Sequence, residues 1–167
     1  MASLAATNMS SVSIIICTRD RAESLRETLA SIGRCAVPPD LAAELVVMDN
    51  GSTDGTAAIV RAAGLTNLPV RYLLEPAPGQ VQARNAGLRA TASDVVLFTD
   101  DDVRVPVDWL AGMCRPIVEG RADAVTGAVH FPPHYEALLT QEPFASRRGW
   151  FASTEDIDPA RPKRMVG

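Results

Sequence analysis

Compact apolar runs punctuate the chain, each ending in a polar turn, with amphipathic stretches between them. Val12-Ser13-Ile14-Ile15-Ile16-Cys17 is rich in β-branched residues and free of charge, as in a strand buried on both faces. It breaks at Thr18-Arg19-Asp20-Arg21. Asp20 and Glu23 are spaced as a capping box, and Leu25, Leu29 and Ile32 then recur at helical intervals. Glu44 to Met48 predicts a second strand, ending at Asp49-Asn50-Gly51-Ser52. Thr53 or Asp54 is placed to cap a helix that carries Ala58, Ile59 and Ala63 and stops at Gly64. Val70 to Leu74 predicts a third strand, closed off by Pro76 and Pro78. A helix follows from Gly79, with Val81, Asn85 and Leu88 on one side and Arg84 near its edge. Val95 to Thr99 predicts a fourth strand. Pro106 opens a helix around Trp109, Leu110 and Met113, disturbed at Pro116. Asp123 to Val129 reads as a fifth strand.

Strands alternating with helices predict an α/β fold, a mainly parallel sheet with helices on both faces. Such sheets bind ligands at the carboxyl ends of their strands. The polar clusters Thr18 to Arg21, Asp49 to Ser52 and Asp100 to Asp102 all fall at those ends. The last is the most informative. Three consecutive carboxylates after a buried strand repel one another, and a divalent cation reverses that sign. Hard cations such as Mg²⁺ or Mn²⁺ take carboxylate oxygens and leave positions open for phosphates.

Composition narrows the classes. The 167 residues carry a net charge of -4, so no basic surface recommends nucleic acid. Lys163 is the only lysine, and arginine, the better fork for phosphate, supplies the remaining positive charge. Cys17, Cys35 and Cys114 show no metal-ligand or disulfide spacing and suit a reducing compartment. Met1 to Ala6 lacks the basic start and long apolar segment expected of a signal peptide, and no run approaches the length of a membrane span. A cytoplasmic protein is expected, with peripheral membrane contact open to it through Arg147-Arg148 beside Trp150-Phe151. No P-loop and no G-x-G-x-x-G is present. A phosphoacceptor receiver would need a lysine after its last strand. An aspartyl phosphatase would need Thr or Val where Arg104 stands. His130 and His134 have helical metal-pair spacing, but Pro132 and Pro133 between them forbid that helix.

Four blocks together resemble the family 2 glycosyltransferases, which have the GT-A nucleotide-diphospho-sugar fold. They are Cys17-Thr18-Arg19-Asp20-Arg21, Val46 to Thr56, Gly79-Gln80-Val81-Gln82-Ala83-Arg84-Asn85-Ala86-Gly87, and Phe98-Thr99-Asp100-Asp101-Asp102-Val103. The resemblance covers roughly residues 12–130, in the family's order and spacing. It implies inverting transfer of a sugar from a nucleotide-diphosphate donor, a UDP-sugar by preference, assisted by Mg²⁺ or Mn²⁺. The acceptor, a sugar, a lipid or another molecule, is not named by it. Thr18, Arg19 and Arg21 match the loop bordering the nucleotide, Asp49 the acidic position facing the base, and Arg84 the arginine near the nucleotide. Asp100, Asp101 and Asp102 match the D-x-D block. In an extended strand Asp100 and Asp102 share a side, which favours Asp102 for metal and Asp100 for ribose. Alignment on Pro106 makes Asp101 the ligand instead.

Three segments follow: a flexible N-terminus over 1–11, the donor-binding domain over 12–130, and an irregular segment over 131–167. The last holds five of the twelve prolines and five of the eight aromatic residues. One short helix is expected there near Tyr135 to Leu139. The family's acceptor half and its general base are expected beyond Gly167, so the segment is expected to be truncated. Glu155 and Asp156 are weak candidates for that base, since an activated hydroxyl needs a carboxylate. The alternative is a donor-binding module that lacks turnover.

Overall fold

In the computed structural model, the described residues are 9–130, 135, 140 and 141. The chain divides into two compact units, Met1–Val125 and Thr126–Gly167. The first is an α/β unit of strands β1 (Ser10–Thr18), β2 (Leu41–Asp49), β3 (Val70–Leu74) and β4 (Val95–Thr99). Between and after them run helices α1 (Ala22–Ile32), α2 (Thr56–Ala62), α3 (Gln80–Arg89) and α4 (Trp109–Val118). All pairings are parallel, in the order β3-β2-β1-β4. The chain steps outward from β1 to β3 and returns to the other side of β1 for β4. That reversal opens a crevice between the ends of β1 and β4, where α/β sheets hold ligands.

Side-chain alternation divides the core. Val12, Ile14 and Ile16 of β1, with Leu45, Val47 and Leu97, pack against Leu25, Leu29 and Ile32 of α1, Val60 of α2, and Leu110 and Cys114 of α4. Each fully buried Ile or Leu contributes roughly 1.5–3 kcal/mol of transfer free energy. The opposite face is thinner: Ile15, Val46 and Met48 meet Ala83 of α3.

The expected face of α3 is reversed. Val81 is 67% and Leu88 43% exposed, and Asn85 is exposed too, whereas Ala83 and Gly87 are buried. Close approach decides this. A Cβ on Gly87 would lie 2.7 Å from Ile15 Cγ2 and 3.2 Å from Met48 Cγ, so only the small-residue side can sit on the sheet.

Three further expectations change. β1 and β2 are longer than their apolar runs, because Ser10 and Ser11 register against Leu41 and Ala42; residues 10 and 11 therefore belong to the sheet and not to a loose terminus. Asp20 forms no capping box with Glu23. It adopts φ 51°, and its carboxylate accepts bonds from the Thr53 N–H and hydroxyl, while Glu23 pairs with Arg26 at 3.6 Å. Helix α1 instead takes its acceptor from Asp54, whose Oδ2 meets the Ala22 N–H at 3.0 Å and whose Oδ1 meets the Thr56 N–H. Residues 123–129 form no strand, because this apolar run finds no ladder partner among the described residues. Pro116 is accommodated near the C-terminal end of α4, where its missing N–H removes one bond without ending the helix.

In the second unit His130 is exposed and outside any helix, and Tyr135 is helical. The rest of the expected helix, His134, Arg147, Arg148, Trp150, Phe151, Glu155 and Asp156 lie outside the described residues. Among the described residues, no helix is long and apolar enough to cross a membrane.

Candidate active site

The carboxyl ends of β1, β2 and β4 and the start of α3 surround a cleft of about 420 Å³. Its lining includes Thr18, Arg19 and Arg21 from the β1–α1 loop and Asp100, Asp101 and Asp102 after β4. All three polar clusters thus reach one concavity, the second of them through Asn50, as the topology requires.

The aspartates are not equivalent. Asp101 is only 4% exposed, and both its oxygens are engaged: Thr18 Oγ1 donates to Oδ2 at 2.7 Å and Arg21 Nη1 to Oδ1 at 2.9 Å. Asp100 and Asp102 are open to the cleft. Arg21 Nη2 reaches Asp102 Oδ2 at 3.1 Å, and Arg84 Nη2 reaches Asp100 Oδ1 at 3.4 Å. Arg84 also lies over the Phe98 ring, 6.0 Å from its centroid, which steadies the guanidinium from below. The aspartate turn is fastened to α1 through the buried Thr28 hydroxyl, which faces the Asp101 carbonyl at 2.8 Å and the Val103 carbonyl at 3.0 Å.

Asp49 stands behind the cleft. It is 1% exposed, with the Ser52 N–H on Oδ1 and the Tyr72 hydroxyl on Oδ2, both at 2.7 Å. Tyr72 in turn lies under Arg61. Burial and the bond to Asp49 push the Tyr72 phenol above its ordinary value, so it remains a donor. The residue that lines the cleft here is Asn50. Its amide donates to the Glu75 and Ala77 carbonyls, and its Oδ1 accepts the Gly79 N–H at 2.8 Å. Gly79, at φ 128°, turns the chain into α3 in a conformation that side chains disfavour.

Asn50, Gly79, Gln80, Ala83 and Cys17 were not anticipated as lining residues. Asn50 and Gly79 could have been found from their places in the turns after β2 and before α3; Ala83 and Cys17 carry no polar signal. The Cys17 thiol is pushed up to about 11, chiefly by burial, and is therefore protonated and inert as a nucleophile.

Among the described residues, no group of three or more His, Cys, Asp or Glu side chains forms a metal cage. A complete cage is not required for Mg²⁺ or Mn²⁺, which take one or two carboxylates and complete their shells with water and phosphate oxygens. The open carboxylates of Asp100 and Asp102 fit that donor set. Arginines and carboxylates around one concavity can hold an anionic, metal-bearing ligand such as a diphosphate.

The fold and the cleft at its switch point define a GT-A domain. The chain belongs to glycosyl transferase family 2, whose family model matches residues 13–154. It is 31% identical over 121 residues to the glycosyltransferase AglE of Haloferax volcanii, a match covering 72% of this chain and 40% of that protein. Among solved structures it resembles the mannosyltransferase PcManGT from Pyrobaculum calidifontis in complex with GDP-Man and Mn²⁺, at TM-score 0.58 and 32% identity, covering 77% of this chain and 38% of the other. It also resembles S. aureus TarS in complex with UDP-GlcNAc, at TM-score 0.58 and 27% identity, covering 68% and 32%. The chain thus spans well under half the length of each of these three proteins.

Proposed function

We propose that the chain forms the donor-binding part of a glycosyltransferase that moves a sugar from a nucleotide-diphosphate donor to an acceptor with inversion. The observation that carries this is the cleft of arginines and aspartates at the β1/β4 switch point. Arg19, Arg21 and Arg84 would meet the diphosphate. Asp100 would face the ribose, and Asp102, with Asp101 behind it, would hold Mg²⁺ or Mn²⁺. When bound, the metal neutralises charge that builds on the departing nucleotide diphosphate. The arginines that line the cleft stabilise the same charge. Asp49 would act on the base indirectly, by fixing the Ser52 turn and Tyr72 behind Asn50.

A UDP-sugar is the favoured donor, and the related complexes with UDP-GlcNAc and GDP-Man support a nucleotide-sugar. A sugar or lipid acceptor would be met in the cytoplasm, with or without contact at a membrane surface. A second reading, a donor-binding module without turnover, draws on the cleft lining: its carboxylates, among the described residues, all belong to Asp100–Asp102. Glu155 and Asp156 remain the candidates for a general base.

Calorimetric titration with UDP, GDP and dTDP, each with Mn²⁺ and again with EDTA, tests the donor site. Metal-dependent binding of one nucleotide is expected; absence of binding by all three would remove the assignment. Turnover of the matching nucleotide-sugar then separates enzyme from module.

A further inference from the structure

Arg21 is committed twice. Its Nη1 holds Asp101 and its Nη2 holds Asp102, so one guanidinium spans two adjacent carboxylates. Among the carboxylates of the described residues, Arg19 meets its neighbour Asp20, at 3.7 Å, and Arg84 meets Asp100. Thr18 takes the remaining oxygen of Asp101, which leaves that buried carboxylate no oxygen without a donor. A divalent cation entering alone would have to compete with this guanidinium for the carboxylates it needs. Arginine cannot release its charge by deprotonation, so it can only be displaced. Displacement requires no unpacking: the side chain is 51% exposed, and Arg21 precedes the first turn of α1.

We infer that Arg21 is a resident counter-ion for the aspartate loop, exchanged for metal when the donor binds. Without ligand it holds Asp101 and Asp102 together; with metal and nucleotide present it passes to the diphosphate. The inference rests on the donor-site reading. The same planar fork fits carboxylate and phosphate, so the exchange replaces one charge-assisted pair with another. With metal alone there is no phosphate to receive it, and the ion pair opposes binding. Arg21 therefore couples the two ligands: metal favours nucleotide, and nucleotide favours metal by the same factor.

The test is titration of Mn²⁺ alone into the 167-residue chain, followed by the free-ion paramagnetic resonance signal, then repeated with saturating UDP or GDP. Arg21→Gln removes the charge and the fork; Arg21→Lys keeps the charge but cannot span both carboxylates. Arg21→Gln is expected to bind Mn²⁺ alone about tenfold more tightly, a modest factor because the pair is half-exposed. Its nucleotide affinity in Mn²⁺ is expected to fall, so the coupling between the two ligands collapses. Arg21→Lys should lie between. Unchanged or weaker affinity for Mn²⁺ alone in both variants overturns the inference. Circular dichroism and thermal melting establish that each variant folds, and the lysine variant carries the test if the glutamine variant does not. If the unsubstituted chain binds no nucleotide, the donor-site reading fails, while the metal-only comparison still decides the role of Arg21.

Discussion

The two ends of the sheet are both rich in carboxylates and hydroxyls, yet they differ in kind. At the amino end the groups consume one another. Asp94 accepts from the Ser11 N–H at 2.8 Å and hydroxyl at 2.7 Å and returns its own N–H to Ser11 Oγ. Ser13 donates to Glu44, contacts Ser93, and leaves Glu44 to pair with Arg71. These bonds tie β1 to β2 and β4, and none of these residues lines the cleft. At the carboxyl end, carboxylates and arginines surround a concavity, and several remain half-exposed. Polar residues at a strand end thus mark a site only where they stay partly exposed around open space.

Substitutions at the carboxyl end should break this contrast most strongly. Asp102→Ala is expected to weaken Mn²⁺-dependent nucleotide binding by about a hundredfold, read by calorimetry, through loss of a charge-assisted ligand. Asp101→Ala should do the same and also lower stability by roughly 2–4 kcal/mol in urea melts, because the Thr18 hydroxyl and Arg21 lose their buried partner. Unchanged nucleotide affinity in both variants would remove the metal-site assignment.

Gly87→Val is expected to cost about 1–3 kcal/mol in urea-melt stability by overpacking against Ile15 and Met48. The exposed Val81→Ser on the same helix should change stability by less than about 0.5 kcal/mol. Equal effects at the two positions would reverse the assigned face of α3.

The amino end should give the smallest effects and no functional ones. Asp94→Asn is expected to lower the melting temperature slightly and leave nucleotide affinity unchanged. Acid sharpens the same point. Hydrogen bonds from Ser11 hold Asp94 below its ordinary value of 3.8, and bonds from Thr53 and Thr56 do likewise for Asp20 and Asp54. A carboxylate depressed on folding stabilises above its unfolded value and loses that contribution as pH falls through the folded one. Urea midpoints measured from neutral pH to about pH 3 should therefore fall at the acid end, and less steeply in Asp94→Asn.

Much of this architecture was legible in the sequence because buried parallel strands are written as β-branched runs. Val12–Cys17 and Val95–Thr99 could hardly be anything else, and the βα order then dictates where the loops converge. Periodicity failed at α3, where the side that packs carries almost no side chain; Ala83 and Gly87 are selected by closeness to Ile15, which hydrophobicity does not record. It failed again over 123–129, since an apolar run becomes a strand only with a partner. At the candidate site the convergence of Thr18, Arg21 and Asp101 followed from topology. The burial of Asp49 did not, because it depends on Tyr72, a strand away.

The acceptor at the start of α1 comes from Asp54, 32 residues further along the chain. An autonomous helix carries its own cap, and this one does not. The first turn of α1 is therefore complete only after β2 and its following loop have docked, so the two βα units gain order together. The same carboxylate serves Thr56 at the head of α2, so a single side chain synchronises two helices. Native-state hydrogen exchange should register this: the Ala22 amide, at a helix end where fraying is the rule, would exchange with the opening of the whole unit.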